Sequence, residues 1–194
     1  MDHFHYREGQ YFAEGVPLAR IASVVGTPCY VYSRAILEQR WRLFNDAFGD
    51  YPHRIHYAVK ANGNLAILKL LRQMGSGFDI VSGGELERVL KAGGRPDDIV
   101  FSGVGKSELE IATALETGIH CINVESVAEL DRVNRLAGTL GVVADIALRI
   151  NPDVDPHTHP YISTGLRENK SGIPAEQVLG LVRQAHDANN VNII

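Results

Sequence analysis

Short apolar runs alternate with longer amphipathic runs along most of the chain. The short runs are rich in β-branched and aromatic residues, which favour strands; they lie at residues 55–59, 78–82, 99–102, 121–124 and 144–150, with the start of a sixth at 191–194. The longer runs place apolar residues three and four positions apart, which predicts helices at residues 65–74, 84–92, 107–116, 127–140 and 175–187. Strict alternation of strands and helices at this spacing indicates a parallel sheet with right-handed crossovers.

The N-terminal part of the chain follows a less regular pattern. Residues 1–28 are a polar lead-in that carries aromatic side chains and a predicted helix at 18–25. Residues 29–32 combine β-branched and aromatic side chains and predict a strand. Ser33 is a suitable N-cap for the next predicted helix, which ends near Gly49.

The turn after the first strand of the alternating region distinguishes a doubly wound sheet from a closed barrel. A doubly wound dinucleotide-binding fold normally carries G-x-G-x-x-G at this point, but residues 60–64 read Lys-Ala-Asn-Gly-Asn. The predicted strands end instead in polar residues, as they do at the catalytic face of a (β/α)8 barrel: Lys60, Ser82, Ser102, Glu125 and Asn151. We therefore predict a (β/α)8 TIM-type barrel, present in part as about five βα units and the start of a sixth strand. A full barrel takes about 250 residues, so we expect these 194 residues to be the N-terminal part of a longer protein.

Composition and charge exclude several classes of protein. The chain is 45% hydrophobic with a net charge of −4, and it has no basic cluster of the kind that nucleic acids or anionic membranes require. No apolar stretch approaches a membrane span and no secretory signal is visible, so we expect a cytoplasmic protein. Cys29 and Cys121 lack the spacing of a metal site and are expected to be small buried hydrophobic residues.

Lys60 is the first candidate for chemistry because it follows an apolar strand directly. At the carboxyl end of an inner strand, a partly desolvated lysine has a lowered pKa and a reactive neutral amine, which can form a Schiff base with a carbonyl. The ordinary alternative is a lysine whose stem packs along the strand while its ammonium group reaches water.

Three further charged residues are candidates for the same edge of the sheet. Asp79 lies inside the second strand, where an inward carboxylate could form a charge-assisted hydrogen bond with Lys60. Glu85 starts the following helix, where it could serve the site or only interact favourably with the helix dipole. Arg149 lies in the fifth strand, where a buried guanidinium needs an anionic or aromatic partner; it could also serve only to pair with a structural carboxylate.

Two local motifs suggest chemistry that the spacing does not support. The run Gly103 to Ser107 ends in Gly-Lys-Ser, but a P-loop needs glycine at position 100, where this chain has valine. The long loop after Asn151 carries His157 and His159 near two aspartates, yet nothing fixes the three-ligand geometry of a metal site, so no metal is predicted. A loop of this length is more typical of a lid.

Several of these segments, taken in order, resemble one known family. The segments are residues 57–62, 77–85, 101–107, 122–126 and 148–152. Together they resemble the pyridoxal-phosphate-dependent decarboxylases of the alanine-racemase-like fold. The run at 159–170 is the most specific, and it is similar to the bacterial branch that acts on meso-2,6-diaminopimelate.

The resemblance implies roles for the candidate residues. Lys60 would be the Schiff-base lysine for pyridoxal 5′-phosphate, and Asp79, Glu85 and Arg149 would line the cofactor site. A lid over the distal end of the substrate would include His157, His159, Tyr161, Ser163 and Thr164. The reaction would release CO2 from meso-2,6-diaminopimelate and give L-lysine, the last step of lysine biosynthesis.

The resemblance also implies how the whole enzyme is organised. Residues 1–33 would contribute a strand to a C-terminal β domain that this chain does not contain, and residues 34–194 would be the incomplete pyridoxal-phosphate-binding barrel. The full-length enzyme would be a homodimer, with further cofactor-binding residues beyond Ile194, so the 194-residue polypeptide alone is expected to have little or no activity. The alternatives are a decarboxylase of the same fold acting on another basic amino acid, and a relative that binds the cofactor without catalysis.

Overall fold

The computed structural model of the protein describes residues 3–151 and 172–194. The chain forms two compact units, Met1–His53 and Arg54–Ile194. None of the helices in the described part of the chain is both long enough and apolar enough to cross a membrane.

The first unit combines a small antiparallel sheet with two helices. Its elements are β1 (Phe4–Arg7), β2 (Gln10–Ala13), β3 (Val16–Pro17), α1 (Leu18–Val25) and α2 (Arg34–Asp46). The β1–β2 turn has positive φ angles at Glu8 (50°) and Gly9 (77°), the backbone that a tight hairpin requires. Both helices were predicted, and Ser33 caps α2 as expected, because its hydroxyl accepts a 3.1 Å hydrogen bond from the Ile36 N–H.

Two expectations for this unit were wrong. Among the described residues, 29–32 belong to no strand, and Tyr30 is 93% exposed. β-propensity reflects packing against neighbouring strands, and these residues have no strand pairing in the described sheets. Cys29 is correspondingly exposed rather than buried.

The second unit is built on a six-stranded parallel sheet within the described residues. Its main strands are β4 (His56–Ala58), β5 (Gly77–Ile80), β6 (Ile99–Phe101), β7 (Cys121–Val124) and β8 (Ala144–Leu148). After them come the short parallel pair β9 (Ile150–Asn151) and β10 (Ile173–Pro174), and then β11 (Val191–Ile193), which joins the main sheet beside β8. The connecting helices are α3 (Leu65–Gln73), α4 (Gly83–Lys91), α5 (Glu108–Thr117), α6 (Val127–Leu140) and α7 (Val178–Asp187).

The strand order is β4-β5-β6-β7-β8-β11, which is the order of the chain. Each right-handed crossover therefore advances by one strand in the same direction, and the helices all lie on one face of the sheet. A doubly wound sheet would reverse its order at a switch point. The predicted partial barrel is confirmed on this observation.

The core lies between the sheet and this layer of helices. Phe78, Ile80, Ile99, Phe101 and Ile122 are fully buried on one face of the strands. The helices meet them with buried apolar side chains, which are Leu68, Leu86, Val89, Ile111, Leu130 and Val133. Each such side chain contributes about 1.5–3 kcal/mol when it is fully buried.

The opposite face of the sheet, which we call the inner face, carries a different set of side chains. Ala58, Asp79, Val100 and Cys121 are in register across four neighbouring strands. Side chains alternate between the two faces of a strand, so Ser102 and Asn123 project from the inner face too. Polar groups are therefore concentrated where a barrel keeps its chemistry.

Three element boundaries in the second unit differ from the prediction. Val59 belongs to a 3-10 turn rather than to β4. Ser82, predicted as the end of a strand, is the N-cap of α4 and accepts a hydrogen bond from the Glu85 N–H. The predicted helix 175–187 begins as a 3-10 turn and becomes α-helical at Val178.

Candidate active site

Lys60 lies in the 3-10 turn Val59–Ala61, directly after the carboxyl end of β4. Val59 is buried, and it anchors the turn in the core. After the turn, Asn62 Oδ1 accepts a 3.0 Å hydrogen bond from the Asn64 N–H, and Asn64 caps α3. These contacts fix the backbone on either side of Lys60.

The Lys60 side chain itself is exposed, so the expected partial desolvation is wrong for the described residues. Burial depends on side chains that cover a position from elsewhere in the fold, and the strand-end pattern does not report them. The primary amine is accessible to a small molecule at the carboxyl edge of the sheet, which is where the fold brings its polar side chains together.

Asp79 is held by a hydrogen-bonded row that crosses three strands. The Ser102 hydroxyl donates a 2.6 Å hydrogen bond to Asp79 Oδ1, and Asn123 Nδ2 donates a 2.8 Å hydrogen bond to Ser102 Oγ. Asp79 pairs in register with Ala58, two residues before Lys60. The carboxylate is therefore fixed on the inner face of β5, next to β4, the strand that Lys60 follows.

From the sequence, Ser102 was named only as a polar strand end at the catalytic face, and Asn123 was not recognised as a member of the site. The signal was available, because each is a polar residue in or directly after a short strand of otherwise apolar residues. Strand alternation places both on the face that carries Asp79.

Glu85 turns back onto its own backbone. Its Oε2 accepts a 2.8 Å hydrogen bond from the Val81 N–H, and its N–H donates to Ser82 Oγ. This contact orders the turn from β5 into α4, in agreement with the alternative role at the start of the helix. The contact with a cofactor stays a prediction.

Arg149 lies between β8 and β9 and pairs with a buried carboxylate. Its Nη1 lies 3.1 Å from both oxygens of Glu125. The Glu125 side chain is only 2% exposed, whereas that of Arg149 is 41% exposed, so the expected burial of the guanidinium is wrong. The expected anionic partner is present, and it holds a partly accessible cation at the strand ends.

Gly103 connects this pair to the neighbouring loop. The Gly103 N–H donates a 2.6 Å hydrogen bond to Glu125 Oε1. Its φ angle is +105°, a conformation that glycine adopts without strain. Glu125 therefore fixes both Arg149 and the β6–α5 loop.

The remaining predicted site residues lie outside the described residues. They are His157, His159, Tyr161, Ser163 and Thr164. Within 3–151 and 172–194, no group of three or more His, Cys, Asp or Glu side chains is arranged to hold a metal ion.

Residues 34–194 match the family described as pyridoxal-dependent decarboxylases, over its pyridoxal binding domain. The chain belongs to this family. The family and its pyridoxal cofactor, both expected from the sequence, are thereby confirmed.

Several individual members of the family are similar to this chain over most or all of its length. The diaminopimelate decarboxylase of Vibrio cholerae is 60% identical over 194 residues, which is all of this chain and 46% of that protein. The crystal structure of the Helicobacter pylori diaminopimelate decarboxylase complexed with L-lysine is 44% identical, with a TM-score of 0.88 over 91% of this chain and 45% of that one. The M. jannaschii diaminopimelate decarboxylase in complex with L-lysine is 37% identical, with a TM-score of 0.91 over 100% of this chain and 46% of that one. The chain spans about half the length of the curated relatives it matches.

Proposed function

We propose that this chain is the pyridoxal-phosphate-binding part of a decarboxylase that converts meso-2,6-diaminopimelate into L-lysine and CO2. The main support is the 60% identity to the Vibrio cholerae diaminopimelate decarboxylase, which extends over the whole of the chain. The L-lysine bound in the Helicobacter pylori relative is the product that this reaction requires.

The side chains at the carboxyl edge of the sheet fit the cofactor in their chemistry. Lys60 offers an exposed primary amine, the group that holds a pyridoxal aldehyde covalently. Arg149 offers a partly exposed guanidinium that a buried carboxylate keeps in place, which suits an anionic cofactor. Asp79 offers a carboxylate of fixed orientation on the adjacent strand.

When bound, the cofactor supplies the sink for the electron pair that remains as the substrate carboxylate leaves as CO2. The residues of this chain would bind the cofactor and orient it. Lys60 would hold the cofactor covalently through its side-chain amine. Asp79, oriented by Ser102, would accept a hydrogen bond from a protonated nitrogen beside it and would stabilise the positive charge of that nitrogen. Arg149 keeps a positive charge at the wall formed by β8.

The proposal extends to residues and properties predicted from the sequence. Glu85 would contact the cofactor site from the start of α4. The lid over the distal end of the substrate would contain His157, His159, Tyr161, Ser163 and Thr164. We also propose a homodimer in the cytoplasm, as the sequence resemblance implies. The 194-residue polypeptide by itself is expected to turn over little diaminopimelate, since the relatives it matches are about twice its length.

The test uses the protein in the full length that its gene encodes, loaded with pyridoxal phosphate. Release of CO2 from meso-diaminopimelate, ornithine and arginine is measured side by side, together with the amino acid product. We expect rapid release from diaminopimelate with one L-lysine formed per CO2. Preferential release from ornithine or arginine would favour the other basic amino acid decarboxylases, and cofactor binding without any release would favour a non-catalytic relative.

Substitution of two lysines provides the matched control. Lys60→Ala is expected to reduce CO2 release to the background. Lys69→Ala, in α3 and likewise exposed, is expected to leave it unchanged. Equal loss in both variants would contradict the role of Lys60.

A further inference from the structure

Lys106 is a buried cation at the end of the β6–α5 loop. Its side chain is 0% exposed, and its Nζ donates to three acceptors: Gly103 O at 2.6 Å, Asn123 O at 2.8 Å and Glu129 Oε1 at 2.8 Å. An ammonium group has three N–H donors, so each one is used. The Phe101 ring, 5.7 Å from Nζ, provides further stabilisation of the charge.

The three acceptors belong to three separate segments. Gly103 is in the loop after β6, Asn123 is near the end of β7, and Glu129 is in the first turn of α6. Lys106 therefore joins two strand ends to the helix that follows the second of them. These are the strand ends that carry Ser102 and Glu125.

Glu129 connects the Lys106 contacts to the candidate site. Its second oxygen, Oε2, accepts a 2.7 Å hydrogen bond from the backbone N–H of Glu125. The Glu125 carboxylate in turn holds Arg149 and the Gly103 N–H. Gly103 is thus fixed through its carbonyl by Lys106 and through its N–H by Glu125.

The burial of the Lys106–Glu129 ion pair indicates a role in fixing geometry rather than in stability. Removing two charges from water is costly, so a buried pair is weak evidence for a role in stability, and an apolar replacement of similar volume is often tolerated. What such a pair does supply is a fixed geometry for the groups that it bonds. Here the outermost of those groups is Arg149, whose side chain is 41% exposed at the sheet edge.

We propose that Lys106 is a positioning residue for the cofactor site: through Glu129 and Glu125 it fixes the Arg149 guanidinium and thereby sets the affinity for pyridoxal phosphate. The inference rests on the proposed function, because it assigns Arg149 to the cofactor. The proposal also assigns the lysine of the Gly-Lys-Ser run a role other than nucleotide binding.

The test measures the dissociation constant for pyridoxal phosphate in the protein in the full length that its gene encodes. The principal variant combines K106M with E129Q, so that no buried charge is left without a partner and the amide oxygen of the glutamine still accepts from the Glu125 N–H. A second variant is R149M, and a third carries all three substitutions. The control is E108Q with R135Q, which removes an exposed ion pair between α5 and α6.

The expected result has two parts. The dissociation constant rises about tenfold or more in K106M/E129Q, the size of effect seen when a partner that orients a metal-binding residue is removed, and it is unchanged in the control. In the R149M background, K106M/E129Q adds no further weakening, because the effect acts through Arg149. A merely structural role would weaken binding by the same factor in both backgrounds, and a thermal unfolding midpoint for each variant identifies a general loss of folding.

Two results overturn the proposal in distinguishable ways. In the first, the parent protein binds pyridoxal phosphate, but K106M/E129Q binds it equally well or weakens binding additively with R149M. The positioning role of Lys106 is then contradicted, and the proposed function is not. If the parent protein does not bind pyridoxal phosphate, both fall.

Discussion

The Ser102 hydroxyl donates a 2.6 Å hydrogen bond to Asp79 Oδ1 on the neighbouring strand. Asn123 Nδ2 donates to the same hydroxyl oxygen at 2.8 Å, so the serine proton is directed to the carboxylate. The orientation of Asp79 therefore depends on two residues that do not themselves carry charge. This relationship makes Ser102 the most informative neutral residue of the candidate site.

Ser102→Ala should impair catalysis without unfolding the protein. A hydrogen bond to a charged group contributes about 1.5–3 kcal/mol, so kcat/KM for diaminopimelate is expected to fall by about 10- to 100-fold. Steady-state kinetics of the full-length protein would measure this. Thr113→Ala removes an exposed hydroxyl in α5 and serves as the control. An S102A enzyme as active as the parent would show that the orientation of Asp79 does not matter.

Gly77→Ala should destabilise the fold at the start of β5, the end of this strand that lies away from the candidate site. A Cβ at position 77 would lie 2.7 Å from the backbone oxygen of Asp98 and 2.8 Å from the His56 ring. Overpacking of this kind costs about 1–3 kcal/mol, and chemical denaturation would measure the loss. Gly105→Ala meets open space and should be neutral. Equal stability of the two variants would contradict the close approach of β4, β5 and the start of β6.

The stability of the sheet should depend on pH through His56. Burial lowers the pKa of His56 from its ordinary value of 6.5, with smaller contributions from neighbouring groups: a backbone hydrogen bond with Phe78 raises it, His120 and Arg54 lower it, and Asp98 raises it. The native state therefore holds His56 neutral while the unfolded chain takes up a proton, so this stability is complete above pH 6.5 and declines as the pH falls below it.

Thermal unfolding midpoints between pH 8 and pH 5 would measure the contribution of His56. The difference in midpoint between the parent and His56→Gln should change in favour of the variant as the pH is lowered. A difference that does not vary with pH would contradict the assignment.

The two thiols should differ strongly in reactivity. Cys29 is exposed, whereas Cys121 is buried on the inner face. Burial, with smaller effects of Asp145 and Asp79, raises the pKa of the Cys121 thiol to about 11. Because the thiolate is the reactive form, an alkylating reagent at pH 8 should label Cys29 quickly and Cys121 slowly, as read by peptide mass spectrometry. In Cys29→Ser only slow labelling should remain, and two fast thiols in the parent would count against the described burial.

Much of the fold could be predicted because local signals agree with its topology. The serines that precede α4, α5 and α6 each cap a helix, and the apolar spacing after them defines the buried stripe. The strand order followed from the strict alternation of elements, because right-handed crossovers leave few other arrangements. These features depend on residues close together in the sequence.

The missed features depend on neighbours that are distant in the sequence. The run 29–32 has the composition of a strand but no strand pairing in the described sheets, whereas residues 4–17 form a sheet through turns at Glu8-Gly9 and Glu14-Gly15 that were not recognised. Lys106 is buried because Glu129 and two carbonyl groups converge on it. A pattern of apolar and polar positions does not encode that convergence.

The assignment of Lys60 as the lysine that carries the cofactor is tested most directly by its covalent capture. The full-length protein is incubated with pyridoxal phosphate and reduced with borohydride, and the modified peptide is identified by mass spectrometry. The expected result is one stable label per chain, located on Lys60. A label located on Lys69 or another lysine, or no label at all on a folded protein, would contradict it.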